Sequence, residues 1–449
     1  MAEDLSPLDL PAADLASPSL DESPWDVIVI GAGAAGLMAA AEAAQRGRRT
    51  LLLEKNRRPG VKILISGGTR CNLTQATDKR GIVQAYREQG PFLHSALALL
   101  GPPDLIKLVE DEGVPTKREE TGKIFPASDR ALDVLKAFLQ RFQRSGATLA
   151  LEQCVERIER DGEQFVVVAN GKTLRAASVL VTSGGKSYPG CGTTGDGYVW
   201  AESLGHRIIT PRPALVPITT NEAWVLKLSG LTLPDIVLRI AGERDEGGET
   251  GAGGGSGKKA KKKSPWLDER RGSLLFTHFG LSGPVVLDIS RTVTGHSQPT
   301  SLQVSCDFVP DIRAEDLDAG IRDQCLAAGK KQVGGVLQPW VPHRLAEELF
   351  LLAGVASEQR AAELSKASRA QLVRWLKDAR ISVSGTRGYA KAEVTAGGVD
   401  LAEVDSRTMQ SKLVPGLFFA GEILDLDGPI GGYNFQAAFS TGMLAGQSV

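Results

Sequence analysis

The sequence predicts an α/β fold, and three observations predict it. Residues 25–54 run from a short apolar strand through a glycine-rich turn and an Ala-rich helix to a second apolar strand ending in an acid. A strand, an acid, a glycine loop and a helix follow one another at residues 417–449. Between them, residues 213–308 read as strands and residues 311–380 as helices rich in Ala, Leu, Arg and Gln. A chain of 449 residues exceeds what one small core needs, so two or three domains are expected.

The opening "MAEDLSPLDLPAADLASPSLDESP" is acidic, with several Pro and Ser residues and neither a basic n-region nor an apolar core. It does not read as a signal peptide, and a disordered leader is expected over residues 1–23. Order begins at "WDVIVIGAGAAGLMAAAEAAQRGRRTLLLEKNRRPG". Val27–Ile30 is a strand, and Gly31, Gly33 and Gly36 spell G-x-G-x-x-G at the mouth of a helix. Each glycine has a different mechanical role, with a tight turn at 31, close approach to a pyrophosphate at 33 and helix–strand packing at 36. The pyrophosphate then sits on the positive end of the helix. Glu54 closes the second strand, Thr50–Leu53, 23 residues after Gly31, where a carboxylate accepts from a ribose hydroxyl. An acid rather than a basic residue there argues against a 2′-phosphate and leaves NAD or FAD.

The far end of the chain favours FAD. "VPGLFFAGEILDLDGPIGGYNFQAAFSTGMLAG" gives a strand over Leu417–Ala420, then Gly421-Glu422, a loop from Gly428 to Gly432, and a helix starting near Asn434. An extended cofactor has its pyrophosphate at residues 31–36 and its ribityl chain and ring near residues 421–438. The helix amides then face the N1–C2 carbonyl edge of the ring and stabilise its reduced anion. In the middle, "AASVLVTSGGKSYPGCGTTGDGYVWAESLG" reads as a strand at Val179–Val181, a tight turn at Thr182–Gly185, and a helix opened by Gly195-Asp196-Gly197. No second nucleotide-binding strand–turn–helix unit is read, so no separate NAD(P)H-binding domain is expected.

The blocks "VIGAGAAGLMAA", "KILISGGTRCN", "TSGGKSYPGCGTTGDGY", "LLFTHFGLSGPVVLDIS", "AEVTAGGVD" and "GLFFAGEILDLDGPIGGYNFQAAFSTG" occur in this order. Over roughly residues 25–447 the chain thereby resembles a bacterial flavoprotein family, described as YhiN-like, BaiN-like, or NAD(P)/FAD-dependent oxidoreductases of the aminoacetone oxidase type. The resemblance implies a Rossmann-like FAD-binding domain split in sequence, with a β-barrel-like domain and a small helical domain inserted. The expected boundaries are 24–212 for the first part of the FAD domain, 213–308 for the barrel-like domain, 309–380 for the helical insert, and 381–449 for the return to barrel and FAD domain. Non-covalent FAD is expected, because no His or Cys stands in a flavinylation context. Its expected contacts are Gly31, Gly33, Ala34, Ala35 and Gly36, then Glu54, Lys55 and Val155, then Lys62, Ser66, Gly67, Gly68, Arg70, Cys71 and Asn72. Ser183, Gly184, Gly185, Gly421, Glu422, Asn434, Phe435 and Gln436 complete the set. The chain departs from the family twice: "GERDEGGETGAGGGSGKKAKKKSP" (242–265) is a long insertion expected as a solvated loop, and Thr69 stands where the family more often has a third glycine.

By the resemblance, residues 62–72 form a loop along the flavin side of the site. Cys71 in it has three readings: a small structural residue beside the ring, a redox partner of the flavin, and a covalent nucleophile. The structural reading is preferred, because no paired base is identified nearby. Two proton donors are candidates, His278 in "LLFTHFGLSGP" and Tyr433 beside Asn434; the alternatives are a satisfied structural His and a ring packed over Gly431-Gly432. Arg387, Tyr389, Lys391, Glu393 and Thr395–Gly398 are candidates for the substrate pocket.

Lys+Arg total 52 and Asp+Glu 53, with 5% aromatic residues, so no global field argues for nucleic acid or anionic lipid. The five cysteines, at 71, 154, 191, 306 and 325, form no C-x-x-C pair, and the His residues do not cluster with them. No metal site is expected, and a reducing, cytoplasmic compartment fits. No apolar run reaches the ~18 to 20 residues of a membrane span. The function expected first is exchange of a hydride between flavin N5 and a small or medium organic substrate, at the mouth between FAD and barrel domains, with NAD(P)H-driven enone reduction as the leading form. The alternatives are an amine oxidase using O2, a flavin-dependent RNA-modifying protein, and an FAD-stabilised scaffold with little turnover.

Overall fold

The computed structural model describes residues 23–241, 266–356 and 358–449. The expected leader, apart from Ser23, and the whole 242–265 insertion lie outside the described residues. The chain divides into two compact units: residues up to Arg212 together with Val394–Val449, and Pro213–Glu393.

The first unit is built on β1 (Trp25–Ile30), α1 (Ala34–Gln45), β2 (Thr50–Leu53), β3 (Lys172–Val181), β4 (Leu417–Phe419) and α2 (Tyr433–Ser448). Strand Thr148–Ala150 lies beside β2, β2 beside β1, and β1 beside β3, all parallel. The first half of β3 carries an antiparallel extension through Gln164–Ala169 to Val155–Asp161, and its second half pairs in parallel with β4. Apolar runs such as "WDVIVI" and "TLLL" form the centre because a parallel sheet is covered on both faces; Val27–Ile30 and Leu51–Leu53 are all buried. The register decides the site. Ile30 stands opposite both Leu53 and Val181, and Val181 opposite Phe419. The four strands therefore end level, and Gly31, Glu54, Thr182 and Ala420 emerge along one carboxyl edge, the edge where open α/β sheets bind ligands.

Helix α1 is buried on most of its surface, packed by α2 and by helix Ala131–Ser145. Gly442 and Gly446 of α2 let the two helices approach closely. A Cβ at either position would stand 2.4 Å from a backbone oxygen of α1, that of Ala35 or Ala39. Phe439 of α2 stacks on Phe138, ring centroids 4.4 Å apart.

The second unit holds a seven-stranded antiparallel sheet in the order Ala379–Ser382, Gln303–Asp307, Thr232–Ala241, Asp268–Thr277, Gly280–Ser282, Ile218–Thr219, Gly385–Thr386. The two ends of this order, Ala379–Ser382 and Gly385–Thr386, are consecutive in the chain. Between them the Val383 and Ser384 amides bond to the Leu302 and Thr219 carbonyls, so one stretch pairs with both sides of the sheet, as the expected barrel-like domain requires. Residues 213–308 also contain a 12-residue helix, Pro284–Gly295, where strands were expected. The segment expected as a helical insert forms helices Ala314–Ala328, His343–Leu352 and Lys366–Lys377. These share one apolar core with the sheet: Leu317, Leu345 and Leu376 belong to the same cluster as Leu238 and Phe276.

Among the described residues no single helix is long and apolar enough to cross a membrane. The bent pair Arg87–Leu99 and Pro102–Asp111 passes that test jointly, but its Leu93, Leu97, Leu105 and Val109 are buried in the core of the first unit.

Candidate functional site

The three fingerprint glycines have three different surroundings. Gly31 has φ +104, and a Cβ on it would stand 2.7 Å from the Thr182 carbonyl oxygen. Gly36 is closed by packing, since a Cβ there would lie 1.9 Å from the Gly31 oxygen. Gly33 is open: a Cβ would meet nothing within 4 Å. It caps α1 without a side-chain bond, and no acid stands in the first turn. The helix end thus presents amides and a positive dipole to open space. Beside it, the buried Glu54 accepts from the Ala32 N–H through Oε2 and from the Asn56 N–H through Oε1, both at 2.8 Å. Burial pushes this carboxyl above its ordinary value, while the two amides and Lys55 pull it back. Segment 152–155 runs alongside, with the Glu152 and Gln153 amides bonded to the Asn56 and Glu54 carbonyls, so buried Val155 is brought near this end. These residues fit a diphosphate at Gly33 and a ribose at Glu54. Ala34 and Ala35, both buried, form the first turn of α1.

Lys55 is held away on its own partners, Asp196 at 2.6 Å and the Thr194 hydroxyl at 2.7 Å. Farther along the edge, Lys62 and Glu422 form an ion pair at 2.5 Å, with Ser187 and Thr395 bonded to it. Ser183 Oγ is buried with no hydrogen-bond partner among the described residues, and Gly184 turns with φ +74. The letters Gly190-Cys191-Gly192-Thr193-Thr194-Gly195 also spell a fingerprint. They stand well past the strand end at Val181, and Pro189–Cys191 is a single 3-10 turn, so this run is no second nucleotide-binding unit.

Residues 62–72 are not the plain loop expected. Val61–Ile65 is helical, and the chain breaks where Ser66 turns extended and Gly67 and Gly68 take left-handed φ of +56 and +68. Thr69 follows at φ +68, which explains why glycine suits that position. Arg70 stacks 4.0 Å over the Phe125 ring and pairs with Glu119 and Asp129, so its guanidinium is committed within the protein. Cys71 is fully buried, and burial pushes its thiol up to about 12. Asn72, with its amide turned to satisfy both neighbours, donates to the Thr74 carbonyl and accepts from the Gly432 N–H, each at 3.1 Å.

That bond ties segment 62–72 to the C-terminal glycine loop. Asn434 accepts from the Gly428 N–H at 2.9 Å and donates back to the Gly428 carbonyl. Tyr86 donates to the Tyr433 carbonyl at 3.1 Å, and its ring fills the space a Cβ on Gly428 would need. The edge of the Tyr433 ring would stand 3.4 Å from a Cβ on Gly431. Gln436 is a buried structural residue, bonded to Thr74, Leu100 and Ser440. Phe435 stacks with Phe439 in the same helix. Gly421, at φ +77, abuts Ala35 and donates its N–H to Thr441.

His278 belongs to the second unit. It sits exposed in the turn between Asp268–Thr277 and Gly280–Ser282, edge-on to Phe279, and no hydrogen bond to its ring is seen among the described residues. Reading the sequence missed Ser187, named Thr395 only as a substrate-pocket candidate and not as a partner of Glu422, and missed Tyr86. The first two stand inside quoted blocks as lone hydroxyls among glycines; Tyr86 lies outside every block and gave no signal. His206, Glu403 and Ser411 look like a nucleophilic triad, with ring contacts of 3.1 and 2.8 Å. Ser411 Oγ, however, accepts the Leu413 and Val414 amides and is buried, so the group is structural.

Residues 25–448 match the profile described as the HI0933-like protein Rossmann domain. The chain is 35% identical over 429 residues to a ribosomal RNA dihydrouridine synthase of Escherichia coli (strain K12), spanning 95% of this chain and 98% of the relative. A protein of the same name from Haemophilus influenzae (strain ATCC 51907 / DSM 11121 / KW20 / Rd) is 34% identical over 432 residues, 94% and 98% of the two chains. A 3-dehydro-bile acid delta(4,6)-reductase of Clostridium scindens (strain ATCC 35704 / DSM 5676 / VPI 13733 / 19) is 30% identical over 429 residues, again 94% and 98%.

Proposed function

Because this chain belongs to the HI0933-like Rossmann-domain family, a family of FAD-dependent oxidoreductases, we propose that it reduces a carbon–carbon double bond conjugated to a carbonyl, with uracil in ribosomal RNA as the substrate. The observation that carries this reading is the pair of relatives named ribosomal RNA dihydrouridine synthase, matched along nearly their whole length. Making dihydrouridine adds a hydride and a proton across the C5=C6 bond of uracil, which is conjugated to the C4 carbonyl. The reductase from Clostridium scindens is named for the same kind of chemistry on a bile acid.

When bound, FAD would supply the hydride at its N5 position, and NAD(P)H is the proposed source of electrons. The chain's own residues do the rest. The open helix end at Gly33 holds the diphosphate and Glu54 the ribose. The start of α2, capped by Gly432 with no acid in its first turn, offers amides and a positive dipole to negative charge on the reduced ring. Tyr433 is the first proton donor to test, since it belongs to the unit with the fingerprint and stands in the loop fixed by Tyr86 and Asn434. His278 is the second.

The near-zero net charge weighs on non-specific RNA affinity, which is electrostatic, and leaves the chemistry untouched. The test is to digest ribosomal RNA from cells with and without this chain and measure dihydrouridine by mass spectrometry. Loss on deletion, restored by the wild-type chain, supports the reading; an unchanged dihydrouridine content refutes it. The second reading, reduction of a small enone, is favoured by the bile acid reductase and is tested by enone consumption with the reduced protein.

A further inference from the structure

The polar knot at the carboxyl edge of the first unit joins segments far apart in sequence. Lys62 stands in the helix after β2, Ser187 in the loop after β3, Glu422 in the loop after β4, and Thr395 in strand Val394–Val399. Glu422 Oε1 accepts from the Ser187 hydroxyl at 2.6 Å and from the Thr395 N–H at 2.9 Å, which engages both its lone pairs. Glu422 Oε2 accepts from Lys62 Nζ at 2.5 Å, and Lys62 also donates to Ser187 Oγ at 2.7 Å. Thr395 Oγ1 in turn accepts from the amides of Lys186 and Ser187. Ser187 and Thr395 are fully buried, while the side chains of Lys62 and Glu422 keep 25% and 17% of their exposure. Gly185 supplies the space: a Cβ there would lie 2.4 Å from Thr395 Oγ1 and 3.0 Å from Glu422 Oε1.

We infer that Lys62 and Glu422 are positioning residues acting through each other, not independent cofactor ligands: their pair fixes the loops after β3 and β4 on the edge that receives FAD. The inference rests on the reading that this unit binds FAD. A largely desolvated ion pair of this kind behaves as one element, because removing one partner strands the charge of the other. A direct ligand to the cofactor would lose affinity on its own account, whatever its partner does.

The test is a double-mutant cycle on the full-length chain, with the apoprotein titrated with FAD by flavin fluorescence and melted by circular dichroism. Lys62→Met and Glu422→Gln are each expected to weaken FAD binding about tenfold, and the double variant by about the same factor rather than the product. Lys62→Arg, which keeps the charge, is expected to stay within about twofold of wild type. Losses that multiply in the double variant overturn the inference. So does a loss confined to Glu422→Gln. If the single variants fail to fold, the double variant, which strands no charge, decides: folding restored supports the pairing, and folding still lost overturns it. A wild-type chain that refuses FAD overturns the functional reading instead, while the melting temperatures of the same proteins still show or refute the coupling.

Discussion

The Cys71 thiol has no accessible surface, and its thiolate is disfavoured by burial up to about pH 12. A nucleophile needs the thiolate and an approach path, so iodoacetamide at pH 8 is expected to label exposed Cys154 and leave Cys71 unmodified until the protein is denatured; peptide mass spectrometry reads this directly. Rapid labelling of Cys71 in the folded protein would restore the redox and nucleophile readings. His206 carries a pH dependence. Burial lowers its pKa from the ordinary 6.5, against the upward pull of Glu403. The unfolded chain therefore takes up a proton that the folded chain resists, so this residue's contribution is intact above about pH 6.5 and stability falls as pH drops below it. Urea melts across pH 5 to 8 are expected to show that slope in wild type and a shallower one in His206→Gln. At this scale the sequence was only partly legible. It favoured the structural reading of Cys71, but a hydroxyl such as Ser187 takes its meaning from Lys62 and Glu422, which lie far away in sequence.

Glycines separate binding from packing at the scale of elements. Gly33→Ala is expected to melt as wild type, because nothing lies within 4 Å of the new methyl, yet to bind FAD about tenfold more weakly. Gly442→Ala pushes a methyl against the Ala35 backbone oxygen and is expected to cost about 1–3 kcal/mol of stability, read by thermal melting. Equal losses of FAD affinity and of stability in both variants would contradict this division. The strand–turn–helix of residues 25–54 was legible because its signal is local: apolar strand, spaced glycines, terminal acid. The helix Pro284–Gly295 was not, because "PVVLDISRTVTG" is rich in β-branched residues. Its buried Val286, Ile289 and Val293 follow a helical period that was overlooked among neighbouring strands. The loop at residues 62–72 is what the resemblance implies, and the helical turn Val61–Ile65 before the break at Ser66–Gly68 is too short to show a period of its own.

For the whole molecule, the first unit depends on both ends of the chain. The C-terminal residues supply β4, paired with β3, and α2, packed on α1. Truncation after Glu393 is expected to expose the apolar faces of α1 and β3 and to give a chain that aggregates and binds no FAD; a soluble, FAD-binding fragment, seen by gel filtration with absorbance near the flavin band, would refute this. The return of the chain to its first domain was legible through the resemblance of its blocks, not through local periodicity, because no short window records which distant strand a segment will join. The measurement that tests the central claim most directly is a single turnover under anaerobic conditions. The purified, FAD-loaded protein is reduced with dithionite just to the end point, then mixed with unmodified ribosomal RNA or with a small enone, and the flavin absorbance is followed. The account expects the oxidised flavin band to return with the RNA and dihydrouridine to form in equal amount. A flavin that stays reduced with both substrates and is reoxidised only by O2 would contradict it and turn the assignment toward an oxidase.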